Sequence, residues 1–192
     1  VDAVKRVAQW VDRLRASTPD GHDPHAHLPL VVDPVFKASS GGQGFDSAPL
    51  VEAYRQYLLP RATVITPNAV ELARLLDLNA PQQSDWPQHA RKLQGMGARD
   101  VVITGGDTQN GQASHHALDW MQAQHAHGWL TLPRVATPHT HGTGCTFATA
   151  VAAGLALGHV SADAIVLAKM LTHHAITHSH AAGQGAGPVH AL

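Results

Sequence analysis

The sequence predicts an α/β domain: a mainly parallel sheet covered by helices on both faces. Three observations predict it. Short charge-free apolar runs alternate with stretches whose apolar residues recur every three to four positions. Several of the runs are continuously apolar rather than alternating, as strands buried on both faces are. The chain has 192 residues, 44% of them hydrophobic and 14% charged, enough for one core and too few for two ordinary domains. Residues 1–192 are therefore expected to form a single domain.

Val4, Val7, Ala8, Val11 and Leu14 recur at helical spacing, with Lys5, Arg6, Asp12 and Arg13 between them, predicting an amphipathic helix from Asp2 to Arg15. The polar, Pro- and Gly-punctuated stretch from Ser17 to His27 reads as a loop. Leu28 to Val35 is an apolar run broken by Asp33-Pro34, a buried strand with a carboxylate at its C-terminal end; Ser39-Ser40-Gly41-Gly42 follows as a loop. Helical spacing returns at Leu50, Val51, Tyr54, Tyr57 and Leu58 and halts at Pro60, after which Ala62 to Thr66 is a second strand.

Asn68 stands as N-cap before Leu72, Leu75 and Leu76, and Asp85 to Met96 is another helix, closed by Gly97. Asp100 to Thr104 is a third strand, followed by Gly105-Gly106. Trp129 to Val135 alternates as a strand. A small-residue helix then runs from Cys145 to Leu157 and is closed by Gly158, and Ser161 caps a last helix through Leu167, Met170 and Leu171. Ligands of such sheets lie beyond the carboxyl ends of the strands. The loops beginning at Asp33, Thr66, Thr104 and Thr137 are where chemistry is expected.

Composition excludes several classes. Thirteen basic against fourteen acidic residues, a formal charge of −1, leave no footprint for nucleic acid or anionic lipid. One cysteine, Cys145, rules out an internal disulfide framework and fits a reducing compartment; with no signal-peptide pattern and no run near the roughly 20 apolar residues of a membrane span, a cytoplasmic location is expected. The chain opens on Val1, already inside a helical pattern, so a segment upstream is expected to be missing.

Gly142-Thr143-Gly144-Cys145 stands directly before a helix, where free backbone N–H groups and the positive end of the helix dipole meet. That combination suits an anion. The glycines allow close approach of a phosphate, and Ala148, Ala152 and Ala153 are expected to pack the helix tightly against the sheet. No Gly-Lys-Ser/Thr and no Gly-x-Gly-x-x-Gly is present, and a turn capped by Thr143 or Thr140 is the bland alternative. A thiol in that first turn should have a lowered pKa and could act as a base; a lone Cys can equally be an apolar filler.

Asn68-Ala-Val-Glu71 reads either as a capping box or as a holder of a hydrated divalent cation, and Asp33 could converge on the same crevice. The sixteen histidines, paired at His25/His27, His125/His127, His139/His141 and His178/His180, lack His-Glu-x-x-His spacing and cysteine partners, so solvated surface is the better reading. His141 is kept as a phosphate neighbour.

In order along the chain stand Val31-Val32-Asp33-Pro34-Val35-Phe36 with Ser40-Gly41, Leu59-Pro60, Ile65-Thr66-Pro67-Asn68-Ala-Val-Glu71, Gly105-Gly106, Thr140-His141-Gly142-Thr143-Gly144-Cys145-Thr146 and Gly183-Gln184-Gly185-Ala186-Gly187-Pro188-Val189. Together these resemble the hydroxymethylpyrimidine and phosphomethylpyrimidine kinases of thiamine biosynthesis, within the ribokinase-like superfamily. The resemblance implies a three-layer α/β/α fold, ATP and Mg²⁺ as cofactors, and 4-amino-5-hydroxymethyl-2-methylpyrimidine and its monophosphate as acceptors. Gly142, Thr143 and Gly144 would surround the transferring γ-phosphate and Cys145 would take the proton of the hydroxymethyl group. Asn68 and Glu71 would hold Mg²⁺ through water with Asp33 near the metal, while Thr104, Gly106, Thr140 and His141 would face the nucleotide. Such kinases are often homodimers.

Three departures stand out. Thr104 replaces a Lys common in the family, Phe36 replaces a Met, and the family's opening strands, which carry much of the pyrimidine pocket, are absent. The chain looks like the C-terminal two-thirds of a typical member. Related pyridoxal and sugar kinases usually carry Asp where Cys145 stands, which favours a pyrimidine acceptor. The alternatives are a pyridoxal kinase of the same fold, a noncatalytic nucleotide-binding homologue with an exposed sheet edge, and a histidine-rich metal-binding protein.

Overall fold

The computed structural model describes residues 1–18, 27–36, 47–106 and 115–190. The loop expected at Ser39 to Gly42, including Ser40-Gly41, and most of the loop between Ser17 and His27 lie outside the described residues.

Helix α1 spans Asp2–Arg15 and buries Val4, Ala8 and Val11 of the stripe its spacing predicts, whereas Val7 and Leu14 are exposed. Strand β1 (Val31–Val32) is shorter than the apolar run containing it. Helix α2 (Ala48–Ala53) runs on through a wider turn at Tyr54–Leu58 and a tighter one at Leu59–Arg61, where Pro60 ends the helical stretch. There Arg61 donates from Nε and a terminal nitrogen to both oxygens of Asp12, at 2.7 and 2.6 Å, fastening the end of the stretch to α1. Strand β2 (Val64–Ile65) follows, then α3 (Ala69–Leu76), α4 (Trp86–Gly95) and β3 (Asp100–Ile103). Gly97 has φ +109, and a Cβ there would lie 2.8 Å from Pro60 Cα, so the stop after α4 needs glycine.

Strands β4 (His116–Gln122) and β5 (His127–Pro133) form a hairpin, and helices α5 (Thr143–Ala156) and α6 (Ser161–Thr177) complete the chain. The sheet order is β1-β2-β3-β4-β5. The first three strands are mutually parallel, with Val31 opposite Val64 and Val64 opposite Asp100, while β4 runs antiparallel to both β3 and β5. Four of the five strands thus run the same way, the mainly parallel sheet that the sequence predicts, and β4, which the apolar pattern does not reveal, is the one that runs against them.

Alternation along the strands feeds two cores. Val32, Ile65, Val101 and Ile103 pack with Leu59, Leu72, Leu75, Trp86 and Leu93 on one face. Val64 and Val102 pack with Phe147, Val151, Ile165 and Ala168 on the other. This is the three-layer arrangement. Helix α5 buries Phe147, Ala148, Val151 and Gly154, so Ala148 packs inward as expected whereas Ala152 and Ala153 are exposed. Gly154 is where the two last helices meet, since a Cβ on it would lie 2.9 Å from that of Ala164. Ser161 is the first residue of α6, not its cap; the cap position is Val160, without a side-chain hydrogen bond.

Candidate active site

The parallel strands deliver three loops to one rim. Beyond β1 comes Asp33, beyond β2 Thr66-Pro67-Asn68, and beyond β3 Thr104. Backbone bonds extend the ladder past the strand ends, from Thr66 N to Val32 O at 3.0 Å and from Thr104 N to Pro67 O at 2.9 Å. Asn68 and Thr104 pair as an isolated bridge. These are the C-terminal ends at which ligands of α/β sheets lie.

Gly142 caps α5 with φ +85, a left-handed conformation that costs a glycine little. Thr143 spends its amide and its hydroxyl on Thr140 O, at 3.3 and 2.7 Å, and Thr146 N donates to Gly142 O at 2.8 Å. Among the described residues nothing accepts from the amides of Gly144 and Cys145, so two N–H groups are left at the positive end of a 14-residue helix. Cys145 is exposed.

Asp33 closes the gap between rim and turn. Its Oδ2 lies 4.0 Å from the place a Cβ on Gly144 would take. The carboxyl is half-buried, and that burial raises its pKa, with the Thr66 hydroxyl, 3.4 Å from Oδ1, pulling weakly the other way. Tyr54 faces the same crevice: burial, then the charges of Asp33 and Glu71, push its phenol upward, and its ring meets Phe36 edge-on at 5.2 Å.

The capping box at the start of α3 is complete. Asn68 Oδ1 accepts from Val70 N and Glu71 N at 2.9 and 3.0 Å, and Glu71 Oε2 accepts from Asn68 N at 2.9 Å. Both lone pairs of the Asn68 oxygen are taken up by α3, so its relation to any cation runs through the orientation it imposes on Glu71. Glu71 is buried and Asp33 half-buried. Two sequestered carboxylates, one just beyond β1 and one in the first turn of α3, are a donor set that suits a hard divalent cation.

On the opposite side of the rim, Gly106 O accepts from Arg134 at 3.1 Å. His141 is held by its backbone between Gly187 O and Val189 N, at 3.2 and 3.0 Å, so the glycine-rich C-terminal segment is strapped to the turn before α5. Gly187 N also donates to His139 Nδ1 at 2.9 Å. A Cβ on Gly187 would collide with His180 O, which explains a glycine there.

The structure brings Asp33, Asn68, Glu71 and Thr104 to the C-terminal rim of the parallel strands, and the approach of Asp33 to Gly144 joins to that rim the turn from Thr140 through His141 to Cys145; Gly106 follows Thr104 and is tied to Arg134. Tyr54 and Arg134 are additions. Tyr54 looks like one more helical core position in the sequence, and Arg134 like one more position of the strand expected over Trp129 to Val135; only their spatial neighbours distinguish them. A cavity of about 280 Å³ lies elsewhere, at the N-terminal ends of the strands, lined among others by Thr63, Arg99, Asp100, Gln124 and Ser161. It contains none of the expected site residues. Among the described residues no three His, Cys, Asp or Glu side chains gather as a metal cluster, and no helix is long and apolar enough to cross a membrane.

Residues 20–190 match the family model of phosphomethylpyrimidine kinase. The hydroxymethylpyrimidine/phosphomethylpyrimidine kinase of Haemophilus influenzae is 42% identical over 160 residues, covering 83% of this chain and 59% of that protein. The enzyme of the same name from Synechococcus elongatus is 38% identical over 163 residues, 84% of this chain and 60% of the relative. Among solved structures, a Staphylococcus aureus pyridoxal kinase in complex with ADP superposes with a TM-score of 0.82 at 29% identity, over 99% of this chain and 64% of the other. The chain thus spans about 60% of the length of the curated relatives it matches. With the ordered motifs and the ribokinase-like architecture, this match over nearly the whole chain places it in the phosphomethylpyrimidine kinase family.

Proposed function

We propose that residues 1–192 form the phosphoryl-transfer part of an ATP- and Mg²⁺-dependent kinase acting on hydroxymethylpyrimidine and then on its monophosphate, as one domain of a cytoplasmic thiamine-pathway enzyme. The observation that carries this reading is the convergence of Asp33 on the amide-lined turn at Gly144 and Cys145. Those two amides donate to the non-bridging oxygens of the γ-phosphate, over which the charge of the transferring group is spread in the transition state. Cys145, acting as a thiolate, takes the proton of the substrate hydroxyl on Sγ and becomes the thiol as the hydroxyl oxygen bonds to phosphorus, and the bond to the β-phosphate oxygen breaks to release ADP.

Asp33 and Glu71 would hold Mg²⁺ through water, with Asn68 fixing Glu71; the ion, when bound, supplies positive charge to the phosphates. Thr104, Gly106, Thr140 and His141 line the nucleotide side. Thr104 offers a hydroxyl where relatives commonly have a Lys. Support for a nucleotide comes from Staphylococcus aureus pyridoxal kinase complexes, one with ADP and another with AMP-PCP and pyridoxal, in the fold this chain shares. Support for a pyrimidine acceptor comes from Cys145 and from the names of the curated relatives. Assembly as a homodimer follows the same resemblance.

The test is ATP consumption by the chain on hydroxymethylpyrimidine, on its monophosphate and on pyridoxal. Transfer to both pyrimidines and not to pyridoxal is expected. Preference for pyridoxal would replace the acceptor, and nucleotide binding without turnover on any of the three would overturn the enzymatic reading.

A further inference from the structure

We propose that Asp119 and Lys169 form a buried positioning pair that fixes the Gly105 amide, and with it the turn from Thr104 to Gly106 that faces the nucleotide in the reading above. The inference about nucleotide rests on that reading; the anchoring of the turn does not.

Asp119 lies in β4 and Lys169 in α6. Lys169 Nζ donates to Asp119 Oδ2 at 2.7 Å and to Ala117 O at 3.2 Å, with the two side chains only 12% and 6% exposed for Lys169 and Asp119. A charge pair withdrawn from water is a costly way to join a helix to a strand, because apolar side chains of the same size hold as well or better. What an apolar pair would lack is an acceptor. Asp119 Oδ1 accepts from Gly105 N at 2.9 Å.

The paired register of β3 with β4 ends at Ile103 opposite Trp120, so Gly105 lies beyond it. The residue is pressed against β4 so closely that a Cβ on it would collide with Leu118 O and lie 3.0 Å from the Trp86 ring. The turn is thereby held at three consecutive positions: Thr104 by Pro67 O, Gly105 by Asp119, Gly106 by Arg134. Of these holds, that of Asp119 alone comes from a buried side chain, whose charge is compensated by a cation on helix α6. Lys169 thus acts on the nucleotide side through Asp119 and touches no reactant.

Single substitutions such as K169M leave a buried charge unpaired and perturb folding itself. The decisive comparison is K169M/D119N against K169M/D119L, both without charges and differing in the acceptor offered to Gly105. In K169M/D119N, exchange of the Gly105 amide with solvent deuterium, followed by NMR, should stay within about threefold of the unmodified chain. In K169M/D119L it should be about tenfold faster, the Kd for ATP should rise about tenfold, and that for the pyrimidine alcohol should change less than about twofold, at similar melting temperatures. Equal Gly105 exchange in the two variants would overturn the proposal, as would faster exchange with unaltered ATP affinity. If the unmodified chain binds no ATP, the kinase reading fails by itself and the exchange comparison alone decides whether the pair anchors the turn.

Discussion

Asp33 Oδ2 faces Gly144 with nothing but a glycine's missing side chain between them, at 4.0 Å from where that Cβ would stand. A half-buried carboxylate and a pair of amide donors therefore share one crevice, although more than a hundred residues separate them in the chain. An anion placed on those amides is repelled by Asp33 unless positive charge intervenes, which is why the arrangement suits a phosphate accompanied by a divalent ion better than a phosphate alone.

Asp33→Asn should lower phosphoryl transfer by roughly 10- to 100-fold, the range for lost support of a metal site, while raising the melting temperature at pH 7. The sign follows from burial, which raises the Asp33 pKa in the folded state above its ordinary value. The folded state then holds the proton more tightly, so the favourable contribution is present below the unfolded pKa of 3.8 and is lost as pH rises through the folded one. The difference in melting temperature between parent and variant should shrink toward pH 4. A variant less stable than the parent at pH 7 would contradict this.

Cys145→Ala should cost about 10²- to 10⁴-fold in kcat, the usual range for a general base, with ATP affinity little changed. Isothermal titration beside steady-state kinetics separates the two effects. An unaltered rate removes the thiol from the mechanism.

The glycines of the turn should part company on substitution. Gly142 has φ +85, so Gly142→Ala should destabilise by about 1–2 kcal/mol, the cost of a left-handed conformation for an L residue, readable by urea denaturation. Gly144→Ala meets only an ordinary contact with Asp33 and sits in the first turn of a helix, where alanine is favoured. Stability should hold or rise there while turnover falls, because the new methyl group occupies the crevice. Full activity in Gly144→Ala would exclude that crevice as the phosphate position.

Asn68→Ala removes the acceptor for two amides of α3 and should cost about 1 kcal/mol, as lost N-caps do, lowering the melting temperature by about 2–4 °C. Glu71→Gln keeps an acceptor for Asn68 N but loses the charge, so it should chiefly raise the Mg²⁺ concentration needed for half-maximal rate. A pure loss of stability, with the Mg²⁺ dependence unmoved, would leave Glu71 a capping residue only.

What is local is legible in the sequence. Asn68 with Glu71 three positions on, Gly97 after the helix ending at Gly95, and the apolar runs at Val31, Val64 and Val101 all declare themselves, because capping and burial act within a few residues. Strand β4 does not. Its residues His116, Asp119 and Gln122 read as polar, and the link to β5, Ala123 to Ala126, contains none of the glycine or asparagine that marks tight hairpins. Asp119 is buried there because Lys169 and Gly105 N satisfy it, a fact settled some fifty positions further along and fourteen positions earlier. The site divides the same way: the glycine turn and the carboxylates are visible as motifs, whereas the roles of Tyr54 and Arg134 depend on neighbours far away in the chain.

The bond from Gly187 N to His139, 48 positions earlier, with the pairing of His141 to the same segment, makes the closing stretch of sequence a brace for the helix end that precedes Cys145. Trimming the protein ahead of Gly187, or fusing a bulky partner close behind Val189, would disturb chemistry carried out by residues that neither change touches.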